Sequence, residues 1–331
     1  MQTAICCIAK CENRYLEEWV DYHLSLGFDR IFIYDNNDVS GERILPSVAG
    51  NERVTIMDCR GKTSYQNVAY TEFYKRYGKE YDWIAYIDVD EFITFSPESG
   101  LHGIHEFLSR FDADVDIVHL NWMCFGDNDI CELDDDYSVL RRFVKPLDFD
   151  KCIQYDFPEN NHVKSIMRGG LDIGDRMIII HTPKDGDFRT VGADGKPCAN
   201  EFYKPYEFST AYIRHYVSKS IYEWLIKINR GLATSNTASE LYSIDRFFLY
   251  NDRTPEKEKV VKDYLFFKEA IELSVNTDLA ISREALRKAE RENGRLKKDL
   301  DSAVHSKAYR LGKILVSPFN WIKRKRVGKS K

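Results

Sequence analysis

The chain has eight cysteines but no Cys-x-x-Cys pair, so the usual spacing of zinc ligands is missing. Several cysteines stand in strand-like positions, Cys6 and Cys7 among them, which suits reduced core residues rather than a disulfide framework. No apolar run approaches the roughly 18 residues needed to span a bilayer. The first residues enter a strand pattern directly, without a charged-then-apolar signal segment. The expectation is a cytoplasmic or cytosol-facing protein. Neither sign of charge dominates: 48 Lys and Arg face 53 Asp and Glu, a net charge of -5, which argues against general nucleic-acid binding. The exception is local, since the last nine residues hold six Lys or Arg and no acid.

What is present is a substantial core. The 331 residues are 43% hydrophobic and include 20 Tyr and 19 Phe, enough for one large or two modest domains. The most informative segment is Asp88-Val89-Asp90-Glu91-Phe92, which follows the apolar run Trp83-Ile84-Ala85-Tyr86-Ile87. Acidic groups placed where a buried strand ends suit a ligand-bearing edge of an open α/β sheet. On a continuing strand, Asp88 and Asp90 would project to one face and converge. Carboxylates that close repel unless a cation lies between them, and a divalent ion carrying phosphates removes that cost. An isolated Asp-x-Asp is more often a solvated acidic turn; the apolar run before it is what singles this one out.

Thr3 to Ala9 reads as a strand buried on both faces, and Asn13 as the cap of a helix with Tyr15, Leu16, Trp19, Val20, His23 and Leu24 along one side. Arg30 to Tyr34 and Val54 to Met57 are further strands, each followed by an aspartate, Asp35 and Asp58. A helix over about Gln66 to Tyr77 leads to the Asp88 strand. This alternation predicts an α/β fold with a doubly wound, mostly parallel sheet. From about Leu101 to His181 the pattern shortens into strands such as Val115 to Leu120 and Met177 to Ile180, which reads as the acceptor side. Helical spacing returns after Ser218 and again from about Pro255 to Leu273. Leu279, Leu286, Asn293 and Leu300 then recur every seven residues, a short coiled-coil seam weakened by Gly294, which fits either a homodimer through residues 279–304 or a helix packed on its own domain. The expected organisation is a domain over 1–250, with a nucleotide-binding half 1–100 and an acceptor half 101–250, a helical extension over 251–305 and a basic amphipathic tail over 306–331.

Ordered segments carry a family resemblance. Ile8-Ala9-Lys10-Cys11-Glu12-Asn13, Glu17-Glu18-Trp19-Val20-Asp21-Tyr22-His23, Leu26-Gly27, Tyr34-Asp35-Asn36-Asn37, the Asp88 segment, and His215-Tyr216-Val217-Ser218-Lys219-Ser220 with Glu223, Lys227 and Arg230-Gly231 resemble bacterial family-2-like glycosyltransferases related to glycosyltransferase family 92. The resemblance spans roughly residues 1 to 230. It implies a GT-A fold and transfer of a sugar, with inversion, from a nucleotide diphosphate donor such as a UDP-sugar, using an Asp-x-Asp motif and manganese or magnesium. Two departures stand out. Cys11 replaces the frequent Asn of Lys-Asn-Glu, and Arg141-Arg142-Phe143 stands where Glu-Arg-Phe is expected, which leaves the role of that arginine segment open.

The chemistry agrees. A departing diphosphate needs its developing charge stabilised, and a carboxylate-bound divalent ion supplies that as a Lewis acid. Asp90 is the first candidate ligand, Asp88 faces the ion or the ribose, and His215 is a further ligand suited to the same metals. Lys219 would neutralise the diphosphate as a point charge. By the resemblance, Lys10 and Glu12 lie on the loop that contacts the nucleotide; Asp35 and Asp58 end strands where the base or ribose would sit. Inversion requires a carboxylate to take the acceptor's proton. Asp127, after the aromatic-glycine run Asn121 to Gly126, is the first choice; Asp172 and Glu201 are the alternatives.

Residues Lys307 to Arg326 mix aromatic and aliphatic side chains with basic ones, a pattern suited to peripheral contact with an anionic membrane, here the cytoplasmic face of an inner membrane, and to a glycan or lipid-linked acceptor. A frayed helix covering the domain would read the same way. Two other functions fit parts of the chain. A metal-dependent phosphohydrolase would need its nucleophilic aspartate after the first strand, and the pair here follows a later one. A catalytically inactive nucleotide-binding scaffold, tethered by the coiled coil and tail, is the reading that only activity separates from an enzyme.

Overall fold

The computed structural model describes residues 1–131, 133, 135–147, 162–179, 187–198, 206–230 and 243–278. Glu201, the heptad stretch 279–304 and the basic tail lie outside the described residues. Strands are β1 (Thr3–Ala9), β2 (Arg30–Asp35), β3 (Val54–Asp58), β4 (Trp83–Tyr86), β5 (Glu91–Phe95), β6 (Ile117–Cys124), β7 (Val163–Arg168), β8 (Thr190–Gly192) and β9 (Ala211–His215). Helices are α1 (Asn13–Ser25), α2 (Pro46–Ala49), α3 (Gln66–Tyr77), α4 (Ile104–Leu108), α5 (Val139–Arg142), α6 (Ile221–Arg230), α7 (Ile244–Tyr250) and α8 (Pro255–Asp278).

The sheet runs β3-β2-β1-β4-β7-β6-β9-β5, with β8 beside β6. Among the described residues five of the eight strand pairings, β1 with β2 and β4, β2 with β3, and β6 with β8 and β9, are parallel, so the sheet is mixed and mostly parallel. Every residue of β1 is buried. Ile5, Cys7 and Ala9 pack into the layer that holds Leu16, Trp19 and Val20 of α1, while Ala4, Cys6 and Ile8 pack into the layer that holds Ala69, Tyr70 and Phe73 of α3. A strand covered on both faces needs apolar residues at every position, which is why β1 reads as a run and not an alternation. The α/β class and the winding on both faces are as the pattern predicts.

The first helix starts differently from the expectation. Glu12 occupies the cap position without a side-chain capping bond. Asn13 is the first helical residue, and its amide is turned to the next loop: Nδ2 donates to Arg43 O (2.7 Å) and Oδ1 accepts from Leu45 N (3.2 Å).

The acidic run also departs from a straight strand. Residues 87–90 are not in the sheet; Glu91 N donates to Asp88 O (3.0 Å), which closes a tight turn between β4 and β5. The two strands joined by this turn are fourth and eighth in the sheet order. Four residues reach at most about 14 Å, so β4, β7, β6, β9 and β5 curl round until the ends meet. β6 makes the curl by changing partners: Ile117 to His119 pair with β8, and Trp122 to Cys124 pair with β9. Gly169, after β7, allows close backbone contact there, since a Cβ would lie 1.8 Å from Tyr81 O.

The segment after α7 is fastened to the rest. Lys257 at the start of α8 is fully buried against Asp127 (2.6 Å) and Asp129 (3.1 Å), and Tyr264 donates to Asn229 of α6 (2.9 Å). No helix among the described residues is long and apolar enough to cross a membrane.

Candidate active site

The turn after β4 presents its acids in two directions. Asp88 Oδ2 accepts from Lys164 Nζ of β7 (2.7 Å), and Oδ1 from Gln66 (2.7 Å) and Tyr70 (3.2 Å) of α3. A carboxylate has about four acceptor positions, and Asp88 remains partly open to solvent. Asp90 turns the other way. Its Oδ2 accepts from Lys227 Nζ of α6 (3.0 Å), while Oδ1 faces Nε2 of His215 at 3.9 Å. The strand geometry that would have put both acids on one face does not apply, because the chain turns at Val89.

Other bonds hold this turn. Glu91 is fully buried; its Oε2 accepts from Asp88 N (2.8 Å) and lies 3.3 Å from Lys164 Nζ. Trp19 Nε1 donates to Glu91 O (2.7 Å), and Tyr216 N to Asp90 O (2.9 Å). Burial pushes the Glu91 carboxyl well up, and Asp88 and Asp90 add to the effect against the ammonium of Lys164. Asp90 goes the other way: burial opposes its ionisation, but the ammonium of Lys227 above all holds it well below the usual range. Burial pushes His215 down to about 3, so its imidazole is neutral near pH 7.

A second cluster supports the loop before α6. Glu223 accepts from Ser220 Oγ (2.7 Å) and Ser220 N (3.2 Å), pairs with Arg142 (3.2 Å), and accepts from Tyr15 OH. Arg142 also donates to Tyr15. These anchors hold Lys219 in the left-handed backbone region (φ 52), 3.6 Å from Glu12 and over the Tyr15 ring. A non-glycine residue there costs on the order of 1–3 kcal/mol, which the surrounding contacts must offset. The arginine segment left open by the sequence is now placed. Arg141, the departing residue, is exposed and pairs with Asp136 (2.6 Å), while Arg142 is buried in this cluster.

The remaining candidates divide. Lys10 pairs with Asp38 (3.1 Å) beside Glu12. Asp35 is buried on Arg60 (3.0 Å) and accepts from Asn37 (2.8 Å). Arg60 further donates to the carbonyls of Asp38, Val39, Gly41 and Glu42, so it shapes the whole loop after β2. Asp58 is exposed and lines a groove of about 520 Å³ with Tyr34, Met57, Lys62 and Tyr65. Asp127 is buried, with its carboxylate on Lys257 and its N–H on Asn251 Oδ1 (2.7 Å). Asp172 lies on an exposed turn where its Oδ1 accepts from Gly174 N. It follows Arg168, the register partner of Trp83 at the start of β4, so the chain leaves β7 there at the end of β4 opposite Asp88. The structure thus gathers Asp88, Asp90, His215, Lys219 and Glu12, and sets Asp172 apart from them. Lys164 and Arg142 carried no individual role in the sequence reading, since their partners are 76 and 81 residues away.

Among the described residues no three His, Cys, Asp or Glu side chains gather into a ligand set. Asp90 and His215 nonetheless face one another as an oxygen and a neutral nitrogen beyond hydrogen-bond reach. A carboxylate oxygen with an imidazole nitrogen suits a divalent ion softer than Mg²⁺, such as Mn²⁺, whose other positions phosphate oxygens and water can fill.

The Glycosyltransferase family 92 profile matches residues 3–249. A family 92 protein of Oryza sativa subsp. japonica is 28% identical over 121 residues, 36% of this chain and 20% of its own length. One of Ricinus communis is 29% identical over 124 residues, 37% of this chain and 22% of its own. The matched part is thus about a fifth of these relatives. Structural overlays are slight: S. aureus TarS gives a TM-score of 0.28 at 12% identity over 38% of this chain and 22% of its own. Mannosyl-3-phosphoglycerate synthase from Rubrobacter xylanophilus gives 0.30 at 12% over 51% and 53%. With three quarters of its length matched to one profile, the chain belongs to glycosyltransferase family 92.

Proposed function

We propose that this protein is a metal-dependent glycosyltransferase that moves a sugar from a nucleotide diphosphate donor, a UDP-sugar first, to a glycan or lipid-linked acceptor with inversion. The observation that carries the reading is the convergence of the Asp88–Asp90 turn, His215 and the ammonium groups of Lys164, Lys219 and Lys227 beyond the end of β4. Carboxylates and cations together suit a ligand that carries both a metal and phosphates.

In this reading Asp90 and His215 hold Mn²⁺ or Mg²⁺, which when bound supplies Lewis-acid stabilisation of the diphosphate. Lys219, held by Glu12 and by the Glu223 cluster, orients the leaving phosphates and balances their charge. Asp88, partly open and fixed by Lys164, offers its remaining lone pair to the ribose. Lys10, Glu12 and Asp35 frame the nucleotide end, and Asp58 the outer rim. The ring of Trp122 packs against His215 at a tilt of 49° (centroids 4.2 Å apart), which helps fix the imidazole beside Asp90.

Calorimetric titration of UDP with Mn²⁺, with EDTA, and into Asp90→Ala tests the reading. The expected result is metal-dependent binding that the variant loses. No binding under any condition would sink the UDP reading and turn attention to GDP, CDP, dTDP or an inactive scaffold.

A further inference from the structure

Helix α6 carries Glu223 and Lys227 one turn apart, on the same face. Glu223 anchors the helix to Tyr15 and Arg142, while Lys227 reaches Asp90. Among the described residues Lys227 is the cation in hydrogen-bond reach of Asp90, and its Nζ also donates to Val217 O (3.1 Å). Both side chains are nearly buried, at 11% and 8% exposure. A buried carboxylate needs a counter-charge even when no ligand is bound, because an isolated ion in this setting is costly. The same carboxylate is the first candidate ligand for the divalent ion. An ammonium and a divalent cation in contact with one carboxylate repel strongly in a site of low dielectric.

We propose that Lys227 is a placeholder cation: it occupies Asp90 while the site is empty, and yields that carboxylate to the divalent ion when the nucleotide diphosphate arrives, moving its own ammonium to the phosphate oxygens. This rests on the donor and metal reading above. The second bond, to Val217 O, gives the lysine a neutral tether two residues from Lys219, so it leaves Asp90 without leaving the site. The arrangement links metal uptake to donor binding. The metal alone must displace an ion pair, whereas the metal with a diphosphate offers the displaced lysine a new anionic partner.

The test measures free Mn²⁺ by electron paramagnetic resonance, with and without UDP, for the wild type, Lys227→Met and Lys227→Arg. Removing the competing charge should tighten Mn²⁺ binding without UDP by at least about tenfold in Lys227→Met, given the strength of contact between charges at this range. UDP affinity at saturating Mn²⁺ should fall by about tenfold in the same variant, because the phosphates lose an ammonium. Lys227→Arg keeps the charge and should stay near the wild type for Mn²⁺ alone. A merely structural lysine would weaken both affinities or neither, and that outcome overturns the proposal, as does equal tightening in Lys227→Arg. Circular dichroism checks the fold, and Lys227→Gln serves the same comparison should the Met variant not fold. Wild-type protein that takes up no Mn²⁺ even with UDP overturns the metal reading itself, which is a different result from Mn²⁺ uptake unaffected by Lys227.

Discussion

The ammonium of Lys164 on β7 lies 2.7 Å from the carboxylate of Asp88, and the same nitrogen lies 3.3 Å from the buried Glu91. One antiparallel strand therefore holds the acidic turn from below. Burial pulls the Lys164 pKa down, but the two carboxylates overcome it and keep the ammonium charged.

Replacing Lys164 with Met should cost about 3–5 kcal/mol of stability, because it leaves a buried carboxylate cluster without its cation. Urea unfolding at pH 7 gives the value. A loss below about 1 kcal/mol, within the range of exposed pairs, would mean that the lysine is not the counter-charge.

Asp127 and Lys257 make a second test. If the carboxylate serves mainly to fasten α8, Asp127→Asn and Lys257→Met should lower stability by similar amounts, and the double variant should fall well short of their sum. Thermal unfolding of the three variants measures this. A base role would show instead as turnover lost in Asp127→Asn with UDP binding intact, while Lys257→Met keeps its turnover.

His23 predicts a pH dependence away from the site. Nδ1 donates to Trp19 O (2.8 Å), which leaves Nε2 to accept from Ile93 N (3.3 Å). Burial pushes its pKa down to about 3. The folded value lies below the unfolded one of about 6.5, so the unfolded chain takes up more protons as pH falls. The contribution is complete above about pH 6.5 and is lost progressively towards pH 3. Between pH 7 and 5 this histidine should cost about 2 kcal/mol, and His23→Gln should flatten the profile by that amount in urea titrations at the two pH values.

Glu223→Gln should reduce UDP affinity without touching the nucleotide directly. The change removes the buried negative charge that faces Arg142 and weakens the hold on Ser220, beside the strained Lys219. A loss of about 2–4 kcal/mol in stability is expected. It should be accompanied by weaker UDP binding at saturating metal. Unchanged binding in a destabilised protein would separate the cluster from Lys219.

The parts of the fold legible in the sequence are those set by local pattern. The runs of β1 and β4 and the one-sided face of α1 identified themselves, because burial on two faces or one writes a distinct periodicity. The Asp88 segment was legible as the acidic end of a buried strand but not in its geometry. Its composition suits a strand, and the turn is imposed by Glu91 capping Asp88 N and by Trp19 and Tyr216 bonding the carbonyls. Lys164 was invisible as a partner of Asp88, since a lysine in a strand-like stretch ordinarily reads as solvent-facing. Asn13 has the composition of a cap, yet a loop thirty residues on took its amide.

The curl of the sheet has one more consequence. Because residues 87–90 join its fourth and eighth strands, the acidic turn is the clasp of a hoop whose other segments are β7, β6 and β9. The place of the turn is thus fixed by the closure of that hoop as well as by its own hydrogen bonds. Parting any one pair of strands slackens it everywhere, so amide-exchange protection at the turn should disappear together with that of the sheet and not before it.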